Sequence, residues 1–215
     1  GQGGWGGSWG GSGGKTLRQG YGEDVHFLAR AYAAAGSDAR MSGCEMPVII
    51  VSGSGNQCIT ASVPVAIYAR AFGIGRERLL RAVALADLVT IHQKAGIGCL
   101  SAFCGATCAG CGAGAGIAYL LGGDYQAVAH TIVNALAVVS GMVCDGAKPS
   151  CAAKIAAAID AGILGYELYC RGQEFLDGDG IVRKGVDNTI GNVGRMARSG
   201  MRETDRVILD IMCGC

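Results

Sequence analysis

Apolar residues recur at helical spacing along most of this chain and alternate at strand spacing almost nowhere. Val25, Leu28, Ala29 and Tyr32 share one face of a helix predicted over 23–35, which the stretch 37–43 is expected to break. A short β-branched run, 47–51, leads into a polar, glycine-rich loop, Ser52-Gly53-Ser54-Gly55-Asn56-Gln57. Helical spacing resumes over 60–72, with Pro64 expected near its first turn. The clearest amphipathic helix is 76–93, which should bury Leu79, Leu80, Val83, Leu85, Ala86 and Val89. A helix of small residues follows over 102–121, then one over 124–140 with Asp124 in a capping position. An alanine-rich helix over 149–169 and two short ones over 187–197 and 203–212 close the chain. The expected class is mainly α, one helical domain over 21–215 whose glycine-rich loops converge on a centre.

Composition narrows the function. Half the residues are hydrophobic and 16% are charged, which predicts a large dry core in one domain. Net charge is +1 with no basic stripe, so nucleic acid is not an expected partner. Residues 95–123 carry no formal charge, long enough to ask about a membrane. Gly, Ala, Ser and Cys dominate that stretch, which reads as a buried helix pair rather than a span. Nine of the first fourteen residues are glycine, and residues 1–20 are expected to be a flexible arm.

Eleven cysteines demand a chemical explanation. Their odd number and the lack of a secretory signal argue against a disulfide framework and for a cytoplasmic protein. Zinc would need paired knuckles, whereas Cys104, Cys108 and Cys111 are spaced to share one helix face. Cys44, Cys58, Cys99 and Cys170 read as small buried hydrophobes. Cys104 and Cys144 differ, because each stands among glycines and small residues with charged or hydroxyl side chains nearby. Such frames let a backbone come close to a bulky inorganic ligand. A metal-sulfur centre with a substrate site beside it is the expectation.

The loop Ser52–Gln57 lacks the ending of a P-loop and the context of a dinucleotide site. Its hydroxyls, amides and backbone N–H groups suit the carboxylate and ammonium of an amino acid, or else a plain turn. His92 and Lys94 end the amphipathic helix just before Gly96-Ile97-Gly98. They read as a solvated helix end, or as a base or clamp reaching the Cys104 centre. Asp145 and Lys148 beside Cys144 carry the same two readings, and His26 and His130 read as structural.

From about residue 37 to 212 the chain resembles the C-terminal half of the iron-sulfur-dependent L-cysteine desulfidases, relatives of the iron-sulfur L-serine dehydratases. The matching pieces are SDARM at 37–41, SGSGNQ at 52–57, LSAFCG at 100–105, GMVCDGAKPSCAAK at 141–154 and TDRVILDIM at 204–212. The resemblance implies an all-α catalytic domain holding a [4Fe-4S] cluster with one open iron, and Cys104 and Cys144 as two ligands. Cys151 is the internal candidate for another. It implies elimination of sulfide from L-cysteine to give pyruvate and ammonia without pyridoxal phosphate. L-serine dehydration, or a non-catalytic iron-sulfur subunit, is the alternative. Lys94, His92 and Asp145 are the candidate catalytic residues. Ser52, Ser54, Gly55, Asn56, Gln57, Ser101 and Lys148 are the candidate substrate contacts. The family's N-terminal half supplies a further ligand from a GCTEP-like segment that is absent here. A missing segment or partner chain carrying that half is therefore expected, along with oligomerisation. The tail thiols Cys213 and Cys215 read as a frayed end or as a cap on the open iron, by likeness to a related serine dehydratase.

Overall fold

The computed structural model describes residues 24–98 and 100–214. They form eight α-helices: α1 Val25–Met41, α2 Gly55–Ala71, α3 Arg76–Ile97, α4 Gly105–Leu120, α5 Tyr125–Val138, α6 Cys151–Cys170, α7 Val186–Arg195 and α8 Arg202–Cys213. A π turn, Met196–Gly200, links the last two. Among the described residues there is no strand, only the isolated bridges Val51–Ser54 and Phe103–Val143. The mainly α class read from the periodicity holds. The glycine-rich arm, Cys99 and Cys215 lie outside the described residues.

Helix α4 is the axis of the fold, touching α2, α3, α5 and α6. Its glycines make this possible. A Cβ on Gly110 or Gly114 would stand 2.3 Å from the carbonyl oxygen of Ala158 or Gly162 on α6. On the opposite flank, a Cβ on Gly112 would stand 2.4 Å from the Ala86 carbonyl oxygen of α3. Two neighbouring backbones thus lie against α4 at distances no side chain could enter. The uncharged stretch is the last turn of α3, a loop and this single buried helix rather than a helix pair, and no helix among the described residues is long and apolar enough to cross a membrane.

Two apolar cores lie on either side of α4. One joins α1, α2, α3 and α6 through Ala33, Val65, Ala86, Ile117, Ile155 and Ile159. The other joins α5 and α7 through Leu136, Ile190 and Val193. Cys104 belongs to the first core, Cys108 and Cys111 to the second. The expected shared face therefore does not form. Cys104 is the extended cap residue of α4, with ψ 120°, so its side chain leaves the helical register that carries the other two.

Several boundaries differ from the reading of the sequence. SDARM does not break α1 but ends it, because Ser37, Asp38 and Ala39 are all buried; Ser42 caps the helix and Gly43 takes φ 85° beyond it. Ser54 caps α2, so that helix begins at Gly55 and Pro64 falls in its middle, where the buried ring forfeits one backbone bond. Helix α3 buries its small side, Ala82, Ala86 and Thr90, against the α4 glycines and leaves Leu80 exposed. Asp124 caps α5 as expected, its Oδ1 accepting the Ala127 N–H at 2.9 Å.

Candidate functional site

Two loops that precede helices bring Cys104 and Cys144 together. The Cys144 N–H donates to the Ala102 carbonyl at 2.6 Å, and the Cys104 N–H donates to Met142 at 3.0 Å. Ser101 shapes the approach, its Oγ accepting the Phe103 N–H at 3.0 Å. The pairing sets the two thiols in hydrogen-bond contact. The Cys104 thiol, donating to Cys144 and buried, is pushed up; Cys144, accepting that bond, is pulled down despite its own burial. Backbone N–H groups also support the sulfurs, Ala106 at Cys104 and Gly146 at Cys144.

A cation stands beside this pair. Lys154, in the first turns of α6, forms an ion pair with Asp145, and its charge favours the thiolate forms of Cys104 and Cys144. The Lys154 hydrogen bond holds the Asp145 carboxyl below its ordinary range. Lys154 itself is held up by Asp145 against the opposing effect of burial. Cys151 lies close by, its Sγ 3.7 Å from the Gly146 carbonyl oxygen and within reach of the same charge. Lys148 is exposed and acts only weakly, through its charge on Asp145. Lys154 was not singled out from the sequence. Its signal was present, since it lies one helical turn beyond Cys151 and shares that side of α6.

The Ser52–Gln57 loop reaches the same place from another direction. Val51 and Ser54 exchange two backbone hydrogen bonds of 3.3 Å around a two-residue turn. Ser52 takes φ 50° and Gly53 φ 107°, so a residue that is not glycine sits in the left-handed region. Ser54 Oγ accepts the Asn56 N–H at 3.1 Å, and Gly55, Asn56 and Gln57 form the first turn of α2. Gln57 lies over Gly105, where a Cβ would meet its Nε2 at 2.6 Å. The loop thereby touches the residue that follows Cys104. Gln57 is 6% exposed, and its Oε1 finds no partner among the described residues.

Lys94 and His92 part company. Lys94 is only 5% exposed, and its charge opposes the burial that pushes the Cys108 thiol up to about 12. It is not a solvated helix end: it is buried within reach of Cys108, which lies one turn along α4 from Cys104. His92 is exposed on the outer face of α3, 2.9 Å from Asp187 of α7, and is not brought to the cysteine pair. Its position two residues from Lys94 sends it round the helix. His26 pairs with Asp160 at 2.9 Å, and His130 stacks on Tyr169 with ring centroids 5.7 Å apart.

The donor set fits part of an iron-sulfur cluster. Two thiols in contact, N–H groups aimed at sulfur, small neighbours and one nearby cation suit cluster ligation. Among the described residues no group of three or more His, Cys, Asp or Glu side chains gathers as a metal site. The described residues thus offer two adjacent thiols, fewer than a cluster's full set of ligands.

Comparison with known proteins gives the family. A UPF0597 protein of Desulfitobacterium hafniense is 64% identical over 199 residues, covering 93% of this chain and 46% of that protein. One from Lachnoclostridium phytofermentans is 54% identical over 199 residues, with 93% and 48% covered. Another from Treponema denticola is 51% identical over 188 residues, with 87% and 44% covered. The chain thus spans about half the length of the curated relatives it matches. No solved structure matches it. The profile of the serine dehydratase alpha chain matches residues 7–210. That stretch takes in both paired cysteines, the serine-glycine loop and every helix but the last residues of α8, and the chain belongs to the serine dehydratase alpha chain family.

Proposed function

We propose that this chain carries part of the active centre of an iron-sulfur-dependent enzyme that eliminates sulfide from L-cysteine, leaving pyruvate and ammonia. The observation that carries the reading is the contact between the Cys104 and Cys144 thiols, placed beside the amino-acid-sized loop Ser52–Gln57. Cys104 and Cys144 would hold a [4Fe-4S] cluster, with Cys151 as the nearest further thiol. When bound, such a cluster supplies a Lewis acid that stabilises the departing sulfur.

The chain's own residues account for the remaining work. Ser54, Asn56 and the first N–H groups of α2 orient an amino acid, and Gln57 holds it against Gly105. A base removes the α-proton, the bond from Cβ to sulfur breaks, and a carbon–carbon double bond forms. Hydrolysis of the resulting enamine yields pyruvate and ammonia with no net oxidation. Lys94 and Asp145 are the candidate bases; Lys154 keeps Asp145 ionised and fixed in place. His92 has a structural partner instead.

The remaining half of the relatives' length is proposed to complete the ligand set. Exposed apolar side chains support this: Leu100, in the loop before Cys104, is 96% exposed, Val143 beside Cys144 is exposed, and so are Ile49 and Ile50 ahead of the Ser52–Gln57 loop. L-serine is the second reading, favoured by the family that matches. Anaerobic purification with iron and acid-labile sulfide analysis tests the centre. Sulfide release from L-cysteine, against pyruvate from L-serine alone, separates the substrates. A protein free of iron after anaerobic reconstitution, with or without the other half supplied, refutes the reading.

A further inference from the structure

Arg40 belongs to none of the roles described so far, yet it is built into the substrate loop. It ends α1, and its Nη1 donates to Asn56 Oδ1 at 3.2 Å, across to the first turn of α2. Gly55 permits that approach: a Cβ there would come 2.8 Å from Arg40 Nε and 3.0 Å from Val48 Cγ1. The guanidinium therefore lies against the α2 N-terminus, in a place only glycine leaves open. Among the described residues no carboxylate pairs with Arg40; its one side-chain bond there goes to a neutral amide. A cation beside the positive end of a helix, with most of its five N–H donors uncommitted, calls for an anion.

One residue further along the same turn, the requirement reverses. Gln57 is more than nine-tenths buried, and its Oε1 is an acceptor without a donor among the described residues. An anion-seeking fork against Gly55 and Asn56 and an unmet acceptor on Gln57, in the same first turn of α2, match the two ends of an α-amino acid zwitterion. A phosphate would satisfy the first and offer nothing to the second. A planar carboxylate also fits a guanidinium through two parallel bonds.

We propose that Arg40 binds the α-carboxylate of the amino-acid substrate, with Gln57 taking the ammonium and the side chain directed toward Cys104 and Cys144. The assignment rests on the elimination reading for the identity of the substrate, but not on the cluster. Arg40 acts by positioning.

The test measures binding rather than turnover. L-alanine and L-alaninamide differ only at the carboxylate, and neither has a β-leaving group to lose. Their affinities for the full chain are measured by ligand-observed NMR, with iron content determined in parallel. The wild type should favour L-alanine over its amide by about 10-fold, the scale of one charge-assisted hydrogen bond. Arg40→Met should abolish that preference by weakening L-alanine alone, and Arg40→Lys should keep part of it. Gly55→Ala, which displaces the guanidinium without removing it, should act in the same direction. Equal affinity for acid and amide in the wild type, including no binding of either, overturns the proposal. So does an Arg40→Met protein with native circular dichroism that weakens both ligands alike or neither. An iron-free protein that still shows the Arg40-dependent preference would refute the cluster while leaving this assignment standing.

Discussion

The Cys144 N–H donates to the Ala102 carbonyl at 2.6 Å, and this bond, two residues before Cys104, clamps two loops that lie forty positions apart in the chain. With its mate between Cys104 and Met142, it fixes the backbones on which both thiols stand. Thiolate ligation is not replaced by a hydroxyl at a soft-metal centre. Cys104→Ser and Cys144→Ser should each abolish the brown iron-sulfur absorbance, whereas Cys58→Ser and Cys170→Ser should leave it intact. Full iron content in both motif variants would refute ligation by this pair.

Loop and cluster should also separate. Asn56→Ala and Ser54→Ala remove side chains from the α2 entry, where Ser54 caps the helix and Asn56 meets Arg40. Both should raise the apparent substrate constant several-fold at unchanged iron content, with Ser54→Ala also costing about 1 kcal/mol of stability from the lost cap. Loss of iron in either variant would place the loop around the metal instead.

Much of this arrangement was legible in the sequence because its cause is local. Helical spacing, the Asp124 cap and the glycine run of α4 each act within a few residues, and each is found where expected. What escaped depends on distant contacts. Nothing near Leu80 says that α3 buries alanines instead, since the reason is the glycine face of α4. SDARM reads as a breaker until Ser37 and Asp38 are seen to be buried. Lys154 and Arg40 went unassigned for the same reason: one meets Asp145 from the next helix, the other meets Asn56 across a loop. His92 and Lys94 looked equivalent, and only the packing of α3 against α4 and α7 divides them.

The glycine face gives a sharp stability contrast. Gly110→Ala drives a Cβ to 2.3 Å from the Ala158 carbonyl oxygen, a backbone atom that cannot rotate aside. Thermal or denaturant unfolding should show a loss of about 3 kcal/mol or more. Gly191→Ala on α7 meets nothing within 4 Å and should gain up to about 1 kcal/mol from helix propensity. Equal effects at the two sites would mean that α4 and α6 are not in backbone contact.

Acid should loosen the tie between α1 and α6. The Asp160 carboxyl is held below its ordinary range by the hydrogen bond from His26 and then by the Arg30 charge, against its burial. A carboxyl whose folded value is depressed contributes stability above its unfolded value near 3.9, and that contribution fades as pH falls through the folded one. Asp160→Asn should therefore cost stability at pH 6, and that cost should shrink as the pH falls below the ordinary carboxyl range. The carboxylate is partly exposed, so the cost should stay below about 1 kcal/mol. A penalty independent of pH would assign the loss to packing.

The tail reaches the loop of one proposed ligand. A Cβ on Gly146 would meet Met212 Cε at 3.0 Å, so the end of α8 rests on the loop that carries Cys144. Cys213 follows directly and is exposed, while α8 buries none of its residues. A helix held so lightly can swing, and on the proposed reading its thiol would compete with a thiol substrate for the open iron. Deleting residues 213–215 should then remove any lag in the first turnovers and lower the apparent constant for L-cysteine. Replacing Met212 with Ala, which loosens the seat but keeps Cys213, should shorten the lag without abolishing it. Progress curves unchanged in both variants would mean that the tail rests on Gly146 without reaching the metal.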